Sequence, residues 1–272
     1  MLKWLGSSNI KKYVAAFLES EADWLRGKAV VDIPAGSGYT AGIAHRLGAD
    51  VQAYDLFPEF FEAEGLECRP ADLTQALPVE NASTDLVICQ EGIEHLPDQL
   101  AVLREFARIL RPGGRLILTT PNVSHLRARV SHLLTESDFY KRMPPNELDA
   151  LWFAGDGRMY FGHLFLINAQ KLRVLAAVAG FRLRRILPVR ASFGSLLLAW
   201  LYPLIALVSL YAYVRNVYRH DEFDRAAKHR LFGEMVRLNL HPSTLFGKHI
   251  FWELEKTDEA RLRVHRSSRD II

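Results

Sequence analysis

The 272-residue sequence is 49% hydrophobic and 24% charged with a net charge of only +3, the balance of an ordinary soluble globule rather than a compositionally biased chain. That length holds one large α/β domain with an insertion, or two small domains. Cys68 and Cys89 both fall in expected strands, which points to reduced core thiols and away from a disulfide scaffold. The charge is uneven: residues 181–272 carry 16 Lys/Arg against 9 Asp/Glu, while the remainder carries 18 against 22. A basic C-terminal third suits an anionic neighbour such as a membrane surface or a phosphorylated substrate. Met1 to Lys12 contain no apolar run of signal-peptide length, so a cytoplasmic protein is the expectation.

Asn9 to Leu25 places Ile10, Tyr13, Val14, Phe17 and Leu18 at helical spacing, so a helix precedes the first strand. Ala29 to Ile33 is an apolar run too short for a buried helix, and it stops at Pro34. Gly36 and Gly38 then allow the backbone to approach a ligand with no Cβ in the way. A helix from Tyr39 to Leu47 aims its free N–H groups and positive dipole end at the same place. The second strand, Asp50 to Tyr54, closes with Asp55, 17 residues beyond Gly38. An acid there sits beside the turn and can accept both hydroxyls of a ribose. Leu66 to Arg69 is a short third strand followed by Asp72-Leu73. Asp85 to Cys89 is a fourth, apolar enough to be covered on both faces.

Gln90-Glu91-Gly92-Ile93-Glu94-His95 leads to Pro97 and a helix with Leu100, Leu103, Phe106 and Leu110 on one side. Arg111-Pro112-Gly113-Gly114 turns the chain into a fifth strand, Arg115 to Thr119. Strands alternating with helices imply right-handed crossovers and a parallel sheet covered on both faces. Ligands bind outside the carboxyl ends of such strands, where Gly36, Asp55, Asp72 and Gln90 converge. Beyond Pro121, a helix with Leu126, Val130 and Leu133 leads into Ser137 to Phe165, a polar and aromatic stretch with no regular period. A loop that long is read as a cap over the acceptor, residues 135–165; an ordinary packed insertion is the alternative. Asn168 caps a further helix that Gly180 stops. Arg182 to Val189 and Lys248 to Lys256 alternate as strands six and seven, and 257–272 reads as a flexible tail.

Taken together, Val30-Val31-Asp32-Ile33-Pro34-Ala35-Gly36-Ser37-Gly38, Asp55, Ala71-Asp72-Leu73, the segment from Asp85 to Leu96, and Leu103 to Asn122 resemble the class I S-adenosylmethionine-dependent methyltransferases. The likeness covers about residues 25–125 and is nearest the small-molecule branch with ubiquinone-biosynthesis and glycan-modifying enzymes. It implies a Rossmann-like α/β fold of seven mostly parallel strands, the seventh antiparallel at the sheet edge. Residues 1–190 and 248–256 would form the methyltransferase domain, and 191–247 a hydrophobic helical insertion. Such families usually carry Gly where Pro34 stands; Pro34 fixes φ and removes an N–H, but Gly36 and Gly38 remain. The same turn also fits the G-x-G-x-x-A pattern of NAD-binding oxidoreductases, against which stand Asp32, the Asp72-Leu73 pair and the Glu91–Leu96 segment. A non-catalytic cofactor-binding protein on this fold is a third reading.

By resemblance, Asp32 with Pro34, Ala35, Gly36, Ser37 and Gly38 holds the methionine part of S-adenosylmethionine. Asp55 binds the ribose and Asp72 the adenine amino group, with Leu56, Leu73 and Gln90 completing the set. Asp32 and Asp72 also have plainer readings as turn and helix caps. His95, just beyond strand four, is the candidate base, with Glu91 and His163 as weaker alternatives; its plainer reading is a helix-entry histidine bonded to Glu94 or backbone. No metal ligands are assigned. The absence of an Asn/Asp-Pro-Pro-Tyr signature and of a basic-aromatic groove argues against nucleic acid. The expected acceptor is a small or lipid-linked glycan, glycolipid or quinone precursor.

Ala191 to Val214 is a run of 24 residues without charge. A single crossing would separate strands six and seven, and Pro203 divides the run into halves of about 15–17 Å as helix, against a bilayer core of about 30 Å. An in-plane or re-entrant helical hairpin at an anionic inner leaflet fits better, with Arg182, Arg184, Arg185 and Arg190 before it and Arg215, Arg219, Arg225, Lys228 and Arg230 after it. A dimer surface or an apolar pocket wall is the alternative.

Overall fold

The apolar runs form strands because both of their faces are covered. In the computed structural model, which describes residues 9–138, 143–153, 157, 159–219 and 225–257, Leu86 and Ile88 bury into one layer and Val87 and Cys89 into the other. Val30 and Val31 divide the same way, as do Ile117 and its neighbours Leu116 and Leu118. Helices Asn9–Ser20 and Tyr39–Arg46 cover the first face through Val14, Leu18, Ile43 and Ala44. Helices Gln99–Ile109 and Ala169–Val178 cover the second through Leu103, Phe106, Leu172 and Ala176. Each large apolar side chain so buried contributes about 1.5–3 kcal/mol.

The strands are β1 (Ala29–Asp32), β2 (Asp50–Asp55), β3 (Cys68–Pro70), β4 (Thr84–Gln90), β5 (Leu110–Pro121), β6 (Leu151–Phe153), β7 (Met159–Phe161), β8 (Phe181–Ile186) and β9 (His249–Lys256). Seven of them form one sheet in the order β3-β2-β1-β4-β5-β9-β8. β1 to β5 pair in parallel, whereas β9 runs antiparallel to both β5 and β8. The last strand is therefore not at the edge: it slots between β5 and β8, and β8 takes the edge. This register sets His249 opposite Pro121, so the amino end of β9 arrives at the carboxyl tips of the parallel strands. Cys89 is buried and Cys68 half-buried, and both are free thiols.

The connection from β2 to β3 contains one 3-10 turn, Pro58–Phe60, and no α-helix. Phe61 and Ala63 fill the helix layer there, against Ala35, Ala41 and Ala53 and over the turn after β1. Gly38 packs closely beneath them: a Cβ on it would stand 2.5 Å from the Phe61 ring and 2.7 Å from the Ala63 methyl. The stretch expected as an irregular cap holds a short helix, Glu147–Ala150, and the β6–β7 hairpin. Of its aromatic residues, Phe139 and Tyr140 lie outside the described residues, as does the tail from 258 onward. Pro203 does not split the uncharged run into two half-helices; it sits in the first turn of a single helix, Tyr202–Val217, where its missing N–H costs no bond.

Gly38→Ala tests the packing of Phe61. At φ +77° with that overlap it is expected to lower stability by about 1–3 kcal/mol in denaturant unfolding, whereas Gly36→Ala, with open space above it, costs about 1–2 kcal/mol from backbone alone.

Candidate active site

Two groups of side chains meet at the carboxyl tips of β1, β2 and β4. The first surrounds the glycine turn. Asp32 is fully buried, and neither carboxyl oxygen has a hydrogen-bond partner among the described residues. Burial pushes its pKa up to about 8, the Asp55 charge adds to the rise, and the Ala41 amide in the first turn of the next helix opposes it. An orphaned carboxyl of this kind costs roughly 1–3 kcal/mol until a donor reaches it. Gly36 leaves a way in: its φ is +53°, and nothing stands within 4 Å of where a Cβ would be. Pro34, the departure from the usual glycine, is accommodated from across the cleft, since a Cβ on Gly92 would lie 2.6 Å from the proline ring.

Asp55 Oδ2 accepts the Gly36 N–H at 2.7 Å, and Oδ1 accepts the Phe57 N–H at 2.9 Å. Each oxygen retains a second lone pair. The Ala71 N–H donates to the Asp55 carbonyl, which brings Asp72 and the half-buried Leu73 alongside β2 and Leu56. Asp72 Oδ1 accepts both the amide and the hydroxyl of Thr74 at 2.8 Å, in a loop turn and not at a helix start. Gln90 donates from Nε2 to the Thr40 hydroxyl at 2.6 Å and keeps Oε1 buried and unpartnered. Ala35 and Ser37 serve through backbone, the former donating to the Tyr54 carbonyl and the latter accepting from the Glu62 N–H.

The second group is built on the segment after β4. His95 Nδ1 lies 2.9 Å from the Phe161 carbonyl oxygen at the end of β7. A carbonyl can only accept, so Nδ1 carries the proton and Nε2 of the neutral ring is a lone pair. The His163 ring centroid lies 5.0 Å from that of His95. Glu94 is fully buried; Oε2 accepts from the Thr120 hydroxyl at 2.9 Å and Oε1 has no partner among the described residues. Glu91 Oε1 accepts from the Thr119 hydroxyl, and Oε2 sits 3.5 Å from His249 Nε2. Burial raises the pKa of Glu91 and Glu94, and the Glu94 charge raises that of Glu91 further; burial lowers His249 to about 4. Burial thus favours the neutral form of both Glu91 and His249, which weakens any ion pairing across that contact. One donor atom from each of Glu94, His95 and His163 falls within 4.8 Å of the others, a spacing that a divalent cation can bridge.

The cap is tied to this segment through the Phe165 N–H on the Glu94 carbonyl and through Gln99 Nε2 on the Phe165 carbonyl at 2.6 Å. On its other side Trp152 stacks on Tyr160 at 4.6 Å, and both lie against Phe57, two residues past Asp55. Glu94 and His249 were missed as functional candidates from sequence. The Glu-x-x-Glu-His spacing could have signalled Glu94; nothing local marks His249, which only the β5–β9 pairing brings in.

The profile of the methyltransferase domain family matches residues 7–186, well over half of the chain. The chain belongs to the class I S-adenosylmethionine-dependent methyltransferases. It is 38% identical over 119 residues to the ubiquinone biosynthesis O-methyltransferase of Xanthomonas oryzae, covering 40% of this chain and 48% of that one. The enzyme of the same name from Psychrobacter cryohalolentis is 33% identical over 172 residues, 55% of this chain and 67% of the relative. The chain thus spans about half the length of the first of these curated relatives. A solved S-adenosylmethionine-dependent methyltransferase from Listeria monocytogenes shares the fold at 11% identity and a TM-score of 0.52, covering 91% of this chain and 99% of that one.

The methyltransferase takes S-adenosylmethionine as cofactor, and its residues fit that group: an orphaned buried carboxyl beside an open glycine turn meets a ligand carrying an ammonium. Because the fold favours protonated Asp32, stability is fully present below the ordinary carboxylate range and falls as pH rises through about 8. Asp32→Asn cannot ionise. Its melting temperature relative to wild type is expected to rise between about pH 5 and pH 9, while calorimetry at neutral pH shows cofactor affinity at least about tenfold weaker.

Proposed function

We propose that this methyltransferase transfers the methyl group to an oxygen of a small, quinone-type or lipid-linked acceptor presented at the inner face of a membrane. The observation that carries the reading is the His95 ring, held by the Phe161 carbonyl with its Nε2 lone pair available to take a proton. Bound S-adenosylmethionine supplies a methyl group already activated on its sulfonium. What remains for the chain is to align an acceptor oxygen and remove its proton. In this reading Asp32 and the turn from Pro34 to Gly38 hold the methionine end, chiefly through Asp32 and Gly36. Asp55 with Leu56 holds the ribose and Asp72 with Leu73 the adenine end, while Gln90, bonded to Thr40 at the tip of β4, completes the set beside the turn. The hairpin forms the acceptor's roof, where Trp152, Tyr160 and Phe57 offer ring faces suited to an aromatic acceptor. The O-methyltransferase names of the relatives support oxygen as the acceptor atom.

A second reading of the proton step rests on the convergence of Glu94, His95 and His163. A divalent cation gripped there would lower the pKa of an acceptor hydroxyl bound to it, and the buried, unpartnered Glu94 oxygen suits such a ligand.

His95→Gln is expected to lower kcat by about 100-fold or more with cofactor affinity unchanged, measured with a soluble catechol as acceptor. Full activity in that variant rules His95 out as the base. Dialysis against a chelator separates the two readings: activity that survives supports the imidazole alone, and activity lost and restored by manganese supports the cation.

A further inference from the structure

The uncharged run folds into a short helix, Phe193–Leu196, a 3-10 turn, Ala199–Leu201, and the helix Tyr202–Val217. The last of these is apolar on its outer side as well as on its inner one. A helix packed on a water-soluble domain turns its apolar side inward and its polar side to solvent. Here the inner side carries Val217, 2% exposed, together with Ser209, 9% exposed, whose hydroxyl accepts from Asn239 Nδ2 at 2.8 Å. Tyr213, also on that side, meets His229 Nδ1 through its hydroxyl at 2.6 Å. The outer side shows Leu204, Leu207, Val208, Leu210, Tyr211 and Val214, each more than half exposed, and Trp200 just ahead of the helix is 72% exposed.

We propose that this helix lies in the plane of a bilayer containing anionic lipid, with its outer side among the acyl chains. Charge decides between lipid and a second copy of the chain. Within Ala191 to Arg219 there is no Asp or Glu, and among the described residues the exposed charges next to the run, Arg190, Arg215 and Arg219, are all basic; Asp221, Glu222 and Asp224, which follow in the sequence, lie outside the described residues. A self-complementary protein interface carries a rim of both signs, whereas an apolar face whose described flanking charges are cations matches a headgroup layer of one sign. Trp200, Tyr202, Tyr211 and Tyr218 are exposed around the same face, the residue types that settle at the level of the headgroups. The geometry is in-plane: no described helix is long and apolar enough to cross a membrane. The insertion is anchored near the site, since the Ser195 hydroxyl accepts the Arg127 N–H and Asn122, one residue past β5, donates to the Thr244 and Gly247 carbonyls. The bilayer face and the acceptor side of the sheet are therefore at the same end of the molecule.

This inference gives a location to the lipid-borne acceptor of the preceding reading, and vesicle binding is measured without turnover, so the failure of one is distinguishable from the failure of the other. The full chain is sedimented with phosphatidylcholine vesicles with and without phosphatidylglycerol. Wild type is expected to co-sediment with the anionic vesicles and to be released by salt. The double variant Leu207→Glu, Tyr211→Glu is expected to partition at least about tenfold less while retaining cofactor affinity, which shows that it is folded. Wild type that stays in the supernatant with both vesicle types overturns the proposal, as does a double variant that binds equally well. Self-association that the double variant abolishes, without vesicle binding, assigns the face to a second copy and also overturns it.

Discussion

The hydrogen bond from the Gly36 amide to the Asp55 carboxylate, 2.7 Å across the tips of β1 and β2, is the contact on which the cofactor end of the molecule depends. It fixes a left-handed turn at Gly36, which lets the next helix start directly over β1. It also gives Asp55 a partner, and the other carboxylate nearby, Asp32, is left without one. Of these two buried acids, burial raises the pKa of the orphaned Asp32, which becomes the place where an added donor stabilises the site most. Local folding of the turn and recruitment of the ligand are thus one electrostatic arrangement.

A second arrangement governs the acceptor end. Phe161 belongs to the cap, and its carbonyl sets which nitrogen of His95 holds a proton. Phe165 and Gln99 tie the same stretch to the segment after β4. With His95 as the base proposed above, the ring keeps this tautomer while the hairpin is seated, so in that reading closure over an acceptor and readiness of the base go together.

Much of this was legible in the sequence, because parallel strands buried on both faces leave short apolar runs that end in Gly, Asp or Pro. β1, β2, β4 and the helices after β1 and β4 fall within a residue or two of where periodicity puts them, and Asn168 caps its helix as expected, accepting from the Lys171 N–H. What failed was whatever depends on contacts distant in sequence. Nothing near Gly38 in the sequence announces Phe61, which arrives from the β2–β3 connection to pack on it. β9 alternates like an edge strand but is inserted between two others. Pro203 reads as a breaker in a hydropathy scan, yet at the first turn of a helix it is a favourable start. His249 acquires its place only through antiparallel registry with β5, which no local pattern encodes.

The contact between Pro34 and Gly92 joins the two halves of the site at a single steric point. One residue belongs to the cofactor turn, the other to the carboxylate-rich loop, and they interlock as ring against bare backbone. Their identities cannot drift separately: a side chain at 92 requires a smaller neighbour at 34, and the proline is tolerated only opposite glycine. Among relatives of this chain the two positions should change as a pair, and a mismatched pair should mark a site whose halves have come apart.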